Sequence, residues 1–459
     1  MRICACLYLL LISVVTLWAQ DATRAQSATQ PDATVPVQLP EESSDEMVTP
    51  TPVGEVGLPL SVGADMERKN YIRGGVGFET AYDTNMFTAG KNVAGIDYSI
   101  LPSLHLEVTR PRTQLQLLYS SGFTMYHNYS DLNHIDHNLD VNIRYRLRPH
   151  VTLNLRESFV KAGYLQSLPD QNDINSTVGI IQKPNSSIIP PLAEILTNLT
   201  TAQLTYQLSP NSMVGANGTL SELWYSNNRS LAPLGPYPNG LVDSGTQAGE
   251  AFYVRRLSRR QYIGGNYEFQ KFLAHPSIAD TKAQSAILFY TLYLPPRLSV
   301  SVFGGPQRSD TPVLGGGMSS RVRMWSPELG ASIGYRLRRI NFAAGFSRAL
   351  AEGGGLSSAV RSNTATGSVR VLTEKRLSVG LSVGYATNAT LNVPFLPANS
   401  GHTVLGSVFL QQKLGQHMGI HFDYTRLHQT YNIVAIVNAP NQHRIEGGIS
   451  YEFEKSLGR

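Results

Sequence analysis

Between His134 and Leu147 the chain alternates with almost no error. Ile135, His137, Leu139, Val141, Ile143, Tyr145 and Leu147 fall on one parity, and Asp136, Asn138, Asp140, Asn142, Arg144 and Arg146 on the other. Period two belongs to a strand, whose successive side chains leave opposite faces of a sheet, and not to a helix. One face is therefore an apolar band and the other is polar and charged. The stretch is also long. Strands of soluble domains usually run about five or six residues, whereas a tilted strand crossing a bilayer needs about nine to eleven. The same unit recurs along the chain, which predicts a closed antiparallel transmembrane β-barrel with its polar face turned inward.

The first residues set the compartment. Arg2, an apolar run from Ile3 to Trp18 and then Ala19, Gln20, Asp21 and Ala22 have the layout of a secretory signal peptide, assigned to residues 1–20. Both cysteines, Cys4 and Cys6, lie inside it. The mature chain then has no thiol, which removes disulfides, cysteine nucleophiles and thiolate metal sites. No later segment approaches the roughly eighteen uncharged apolar residues of a membrane helix, so any crossing is by strands. Lys and Arg number 38 against 33 Asp and Glu, with the signs interspersed. No basic helix or clustered stripe suited to phosphates is present, and no nucleic-acid partner is expected.

Residues 21–66 are rich in Pro, Thr, Ser and acid, without sustained alternation, and read as a periplasmic linker. The barrel is assigned to residues 67–459. It repeats a unit of strand, short turn, strand and longer loop. The short turns are Arg110-Pro111-Arg112, Arg148-Pro149-His150, Ser209-Pro210-Asn211, Ser258-Arg259-Arg260, Pro295-Pro296-Arg297, Arg338-Arg339, Glu374-Lys375 and Gly415-Gln416. Eight turns supply sixteen strands. A first strand near Tyr71 to Tyr82 and a last near His443 to Glu454 bring the count to about eighteen, although Met213–Trp224 and Gly245–Val254 alternate poorly. Short turns on the periplasmic side and long loops outside are the asymmetry of bacterial outer-membrane barrels.

Tyr145, Tyr206, Tyr253, Tyr290, Tyr293 and Tyr335 stand near the short turns, where an interfacial aromatic girdle is expected. The last strand sets Ile445, Gly447, Ile449, Tyr451 and Phe453 against Arg444, Glu446, Ser450, Glu452 and Glu454. An aromatic near its end is similar to the signal read by the barrel-assembly machinery, although six residues, Glu454 to Arg459, follow Phe453. With its first strand ending Ala81-Tyr82-Asp83-Thr84-Asn85-Met86-Phe87 and hairpins running to the C-terminus, the chain resembles the outer-membrane β-barrel porins of the β-barrel porin 2 type, which open with a Tyr-Asp-x-Asn turn. The resemblance spans nearly all of the mature chain. It implies a pore without naming a permeant.

Candidate functional residues are those expected on the inner wall. Asp136, Asp140, Arg144, Arg156, Glu268, Arg336, His421, Asp423, Arg444 and Glu446 are the pore-lining set, with Arg73, Glu79, His105, Glu107, Arg146, Arg338, His417 and Glu452 on the same parity. Opposed charges on an aqueous wall select permeants by charge and size; pairing across strands is the alternative use of each. Seven of the eight short turns carry Lys or Arg in or beside them, suited to anionic solutes or to lipid phosphates. The longest loop, Lys161 to Thr197, would narrow the channel if folded inward, with Glu194 at the constriction. A second loop holds the apolar run Tyr431 to Val437. His421 and Asp423 share a face, but no serine elbow, paired-carboxylate motif or metal signature accompanies them, so neither an enzyme nor a cofactor or metal is expected.

The expected function is passive diffusion of small hydrophilic solutes through an outer-membrane channel. Two rivals are an exopolysaccharide export conduit docking a periplasmic partner, with Tyr71 and Tyr262 as a sugar track, and a surface adhesin anchored by the barrel. Outer-membrane lipid and the barrel-assembly machinery are the expected partners. The sequence does not set the oligomeric state.

Overall fold

The computed structural model describes residues 70–86, 93–163, 187–188, 194–226, 243–275, 280–294, 298–313, 320–337, 339–354, 359–373, 377–391, 400–431 and 439–458. The segments expected to be leader and linker lie outside them. The described strands are β1 (Tyr71–Asp83), β2 (Gly95–Thr109), β3 (Thr113–Tyr126), β4 (His134–Arg148), β5 (Val151–Ala162) and β6 (Glu194–Ser209). Next come β7 (Ser212–Ser226), β8 (Asp243–Ser258), β9 (Gln261–His275), β10 (Thr281–Leu294), β11 (Leu298–Val313) and β12 (Ser320–Arg336). The last six are β13 (Ile340–Glu352), β14 (Ala359–Leu372), β15 (Leu377–Thr390), β16 (Ser400–Leu414), β17 (Met418–Tyr431) and β18 (Ala439–Ser456).

All eighteen form one antiparallel sheet in chain order, and β1 pairs with both β2 and β18. Arg73 thus faces His105 on one side and Glu454 on the other. The ring has no free edge there, so the ladder satisfies the backbone of the first and last strands as fully as that of the middle ones. The expected turns at 110–112, 149–150, 210–211, 259–260 and 415–417 join consecutive strands. At Gly415 the chain takes φ of 73°, a left-handed conformation that suits a residue without Cβ. Residues 295–297, 338 and 374–376 lie outside the described residues, but the strands that they join are paired neighbours.

Parity sets the two faces. Phe78, Phe123, Leu204, Leu288, Trp325, Leu381, Phe422 and Ile449 are exposed on the outside of the ring, Leu288 by 72%. An apolar band of this extent is unstable against water, at about 25 cal/mol per Å² exposed, and marks a face built for another environment. Of the expected girdle, Tyr145, Tyr206, Tyr253 and Tyr335 are exposed with that band. Tyr293 departs from it: it pairs with Ser299 on the inner parity and meets Tyr262 edge-on at 5.8 Å, because its neighbours inside are apolar.

The interior is not uniform around the ring. On the inner face of β7 to β11, Met213, Phe252, Val254, Tyr262, Ile287, Phe289 and Phe303 form a buried cluster. Several of these rings lie flat over a glycine of the neighbouring strand. A Cβ at Gly264 would collide with Phe289, so ring and glycine fill one space. A second cluster joins Phe272, Ala283, Leu350, Ala359 and Leu391. Across the ring, on β3 to β5 and β14 to β18, inner residues are mostly only half-buried, and Leu405 is 42% exposed. The barrel has a dry arc and a wet arc.

Candidate functional site

The site is the inner wall. Asp136, Asp140 and Arg144 on β4 and Arg156 on β5 face inward in adjacent rows, since Asn142 pairs with Arg156 and Arg144 with Asn154. Arg156 donates from Nε and Nη2 to Asp140 Oδ2 at 3.0 and 2.7 Å. Asp136 Oδ1 accepts from the Gly163 amide at 2.6 Å, and its Oδ2 lies 3.2 Å from His134 Nε2. Arg144 is exposed inside the ring. Two of the four predicted charges here are thus one cross-strand pair.

The seam between the last strands and the first holds the densest charge. Arg444 forks onto Asp97, Nη1 to Oδ2 at 2.8 Å and Nη2 to Oδ1 at 3.1 Å, and its Nε donates to Glu446 Oε2 at 3.1 Å. This planar two-bond geometry suits guanidinium and carboxylate. Beside it, Gln442 Nε2 donates to Asp83 Oδ2 at 2.7 Å. His421 Nε2 lies 3.2 Å from Glu79 Oε1, and a ligand atom from each of Glu79, His421 and Glu446 falls within 4.8 Å of the others. Asp423 faces Glu446 in register. These three could hold a divalent cation, but Arg444 already supplies positive charge to Glu446.

Inside the dry arc the polar groups are buried. Glu250 on β8 pairs in register with Glu268 on β9, and Glu268 with Ser285 on β10. Asn266 Nδ2 donates to Glu250 at 2.6 Å, and Gln307 Nε2 donates to Glu328 at 2.9 Å. Sequence reasoning singled out Glu268 alone. Glu250, Glu328 and Glu352 carried no signal beyond their parity, because apolar inner neighbours break the alternation that flags a polar face.

The wall itself bends into the barrel. Pairing of β13 with β12 stops at Arg348, whereas its pairing with β14 continues to Glu352 opposite Ala359. Released from β12, this end of the hairpin leans inward. The Leu350 amide donates to Gln307 Oε1 at 3.3 Å, and the Glu352 carboxylate accepts from Ser221 on β7 and Ser244 on β8. Glu352 and Leu350 are both fully buried. The arm therefore crosses the interior from β13 to the far side of the dry arc.

Other predicted positions differ from expectation or fall outside. Glu194, expected on an inward loop, is the first residue of β6, where it has the outward parity and pairs with Lys161 at 2.7 Å. The strand simply starts earlier than the polar loop suggested. Two residues of the same long connection, Ser187 and Ile188, are described. Asn388 on β15 donates to Ser187 Oγ at 2.9 Å, and Ile188 is buried. Arg336 ends β12, opposite Asn341 in register. His417 sits in the turn before β17, its Nδ1 2.9 Å from the Glu452 carbonyl oxygen. Arg338 and residues 432–438 lie outside the described residues.

No family model matches the chain, and no curated protein matches it. Among solved structures it is similar to Pseudomonas aeruginosa OpdK with vanillate, at 10% identity and a TM-score of 0.41, covering 84% of this chain and 99% of that one. It is also similar to Pseudomonas aeruginosa OccK2 (OpdF) in complex with glucuronate, at 11% identity and a TM-score of 0.43, over 84% and 98% of the two chains. A third is the ferric citrate transporter FecA in its unliganded form, at 10% identity and a TM-score of 0.45, over 84% and 79%.

Proposed function

We propose that the protein is an outer-membrane channel through which small hydrophilic solutes diffuse passively. The observation that carries this reading is the pairing of an apolar outer band with an inner wall whose wet arc is charged and half-exposed. A closed ring of about sixteen to eighteen strands is wide enough to leave an aqueous path. Lipid covers the outer band, the short turns face the periplasm, and the long connections face outside.

The path follows the wet arc, and the Leu350–Glu352 arm narrows it at the outer end. Selection is by size at the arm and by charge along Asp140, Arg144, Arg156, Asp423, Arg444 and Glu446. The reading includes no covalent step. The export reading loses one of its supports, since Tyr262 is buried against Tyr293 and offers no surface to a polymer.

Single-channel recording of the refolded mature protein in a planar bilayer tests the proposal. Stable open steps with modest ion selectivity are expected, larger in Glu352→Ala. Silence of both proteins, with folding verified by heat-modifiable gel mobility, would overturn the channel reading.

A further inference from the structure

The buried carboxylates of the dry arc are not explained by diffusion through the wet one. Glu268 and Ser285 face each other across β9 and β10, Ser285 faces Gln307 across β10 and β11, and Gln307 holds one oxygen of Glu328. Glu268, Gln270 and Glu328 are each about 1% exposed or less. Gln270 and Ser285 stand beside Glu268, yet neither oxygen of Glu268, neither amide atom of Gln270, nor Ser285 Oγ, Glu328 Oε1 or Asn266 Oδ1 makes a hydrogen bond within 3.5 Å. Glu250 and Glu328 also stand close enough to Glu268 for their charges to act on it. Among the described residues, no Lys, Arg or His forms an ion pair with Glu268 or Glu328.

Several carboxylates elsewhere in the barrel have a basic partner: Asp140 has Arg156, Asp97 and Glu446 share Arg444, and Glu79 lies beside His421. An isolated ionised carboxylate out of water is costly unless it is paired or coordinates a metal. Water would satisfy the hydrogen-bonding atoms but would leave the charge. The donors that converge on Glu268 are all oxygens, from carboxylate, amide and hydroxyl. That set suits a hard cation better than zinc or copper, which favour imidazole or thiolate.

We propose that Glu268 and Glu328, with Gln270 and Ser285, bind a single hard metal cation of the calcium type in the inner wall of β9 to β12. The cation ties three strands, β9, β10 and β12, together across the dry arc. It is a structural ion, set apart from the permeation path.

The test uses the full mature chain refolded in detergent, stripped with EDTA and titrated with calcium chloride and, separately, magnesium chloride. Elemental analysis after dialysis is expected to find about one cation per chain in the wild type. In Glu268→Gln and in Glu328→Gln, affinity falls by at least the roughly tenfold that even a supporting group of a metal site costs. Asp140→Asn on the wet arc keeps the wild-type value and controls for cations held by detergent or lipid. The urea midpoint of the wild type rises with calcium, and that of Glu268→Gln does not. If one variant fails to fold, the other and the wild-type metal content still decide. Equal cation content in wild type and Glu268→Gln, with a urea midpoint indifferent to calcium and EDTA, would overturn the proposal and leave the carboxylates to protons and water.

Discussion

The two arcs of the inner wall are built from the same strands at the same spacing, yet they solve opposite problems. The dry arc, β7 to β12, buries Phe252, Phe272, Phe289 and Val254 inside a barrel. The wet arc leaves Leu405 and Arg144 open to the interior. A ring of eighteen strands is too wide for side chains to fill. Here one side is packed like a soluble core, while charge is retained along the other. The closely packed and the open parts of the wall thereby belong to different strands.

Matched substitutions break or sharpen that division. Phe289 and Phe409 each lie over a glycine, Gly264 and Gly380, but only Phe289 is buried in a cluster. Phe289→Ala is expected to cost about 3–5 kcal/mol, as truncated core aromatics do. Phe409→Ala should cost about 1 kcal/mol, read as urea midpoints at constant m. Equal losses would erase the distinction between the arcs.

Leu288 and Leu405 are both exposed, one outward and one inward. Leu288→Arg puts a charge in lipid and is expected to destabilise by about 2–4 kcal/mol. Leu405→Arg meets water, changes the urea midpoint little, and shifts ion selectivity toward anions in a bilayer recording. A further cut is Glu352→Ala, which frees the arm and leaves Ser221 and Ser244 without their acceptor. Stability should drop by about 1–3 kcal/mol while conductance rises. The smallest effect is expected for Arg156→Ala, about 1 kcal/mol or less, because the Asp140 pair is partly wetted. Its signature is selectivity moved toward cations, seen as a changed reversal potential in a salt gradient.

The division also explains what could be read in the chain. β4 is legible because His134 to Leu147 has a polar inner face and an apolar outer one, so period two is plain. β7 and β8 are not, since Met213, Leu223, Phe252 and Val254 on their inner parity are as apolar as the outer residues. Two apolar faces leave no alternation to read. The turns and the strand count needed only local signals and could be read directly. The arm could not be: Glu352 meets Ser221 across 131 residues, and nothing near Glu352 encodes that contact. Glu194 reads as a loop residue for a related reason: the polar, proline-containing stretch before it masks the start of β6, which pairing with β5 and β7 reveals.

The join between β18 and β1 has a kinetic side. Tyr71 meets Ser456, and the Leu457 amide donates to the Asn70 carbonyl at 2.8 Å, so the two ends of the barrel touch. Contacts between the ends of a chain are the slowest to form, because loop-closure entropy opposes them until they are made. Until β18 arrives, β1 and β17 are open templates for any other strand. A chain cut short before Ala439 lacks the strand that sits between them and is prone to recruit one from a neighbour. Completeness of synthesis is thus written into the pairing order, and the last eighteen-residue strand acts as the latch.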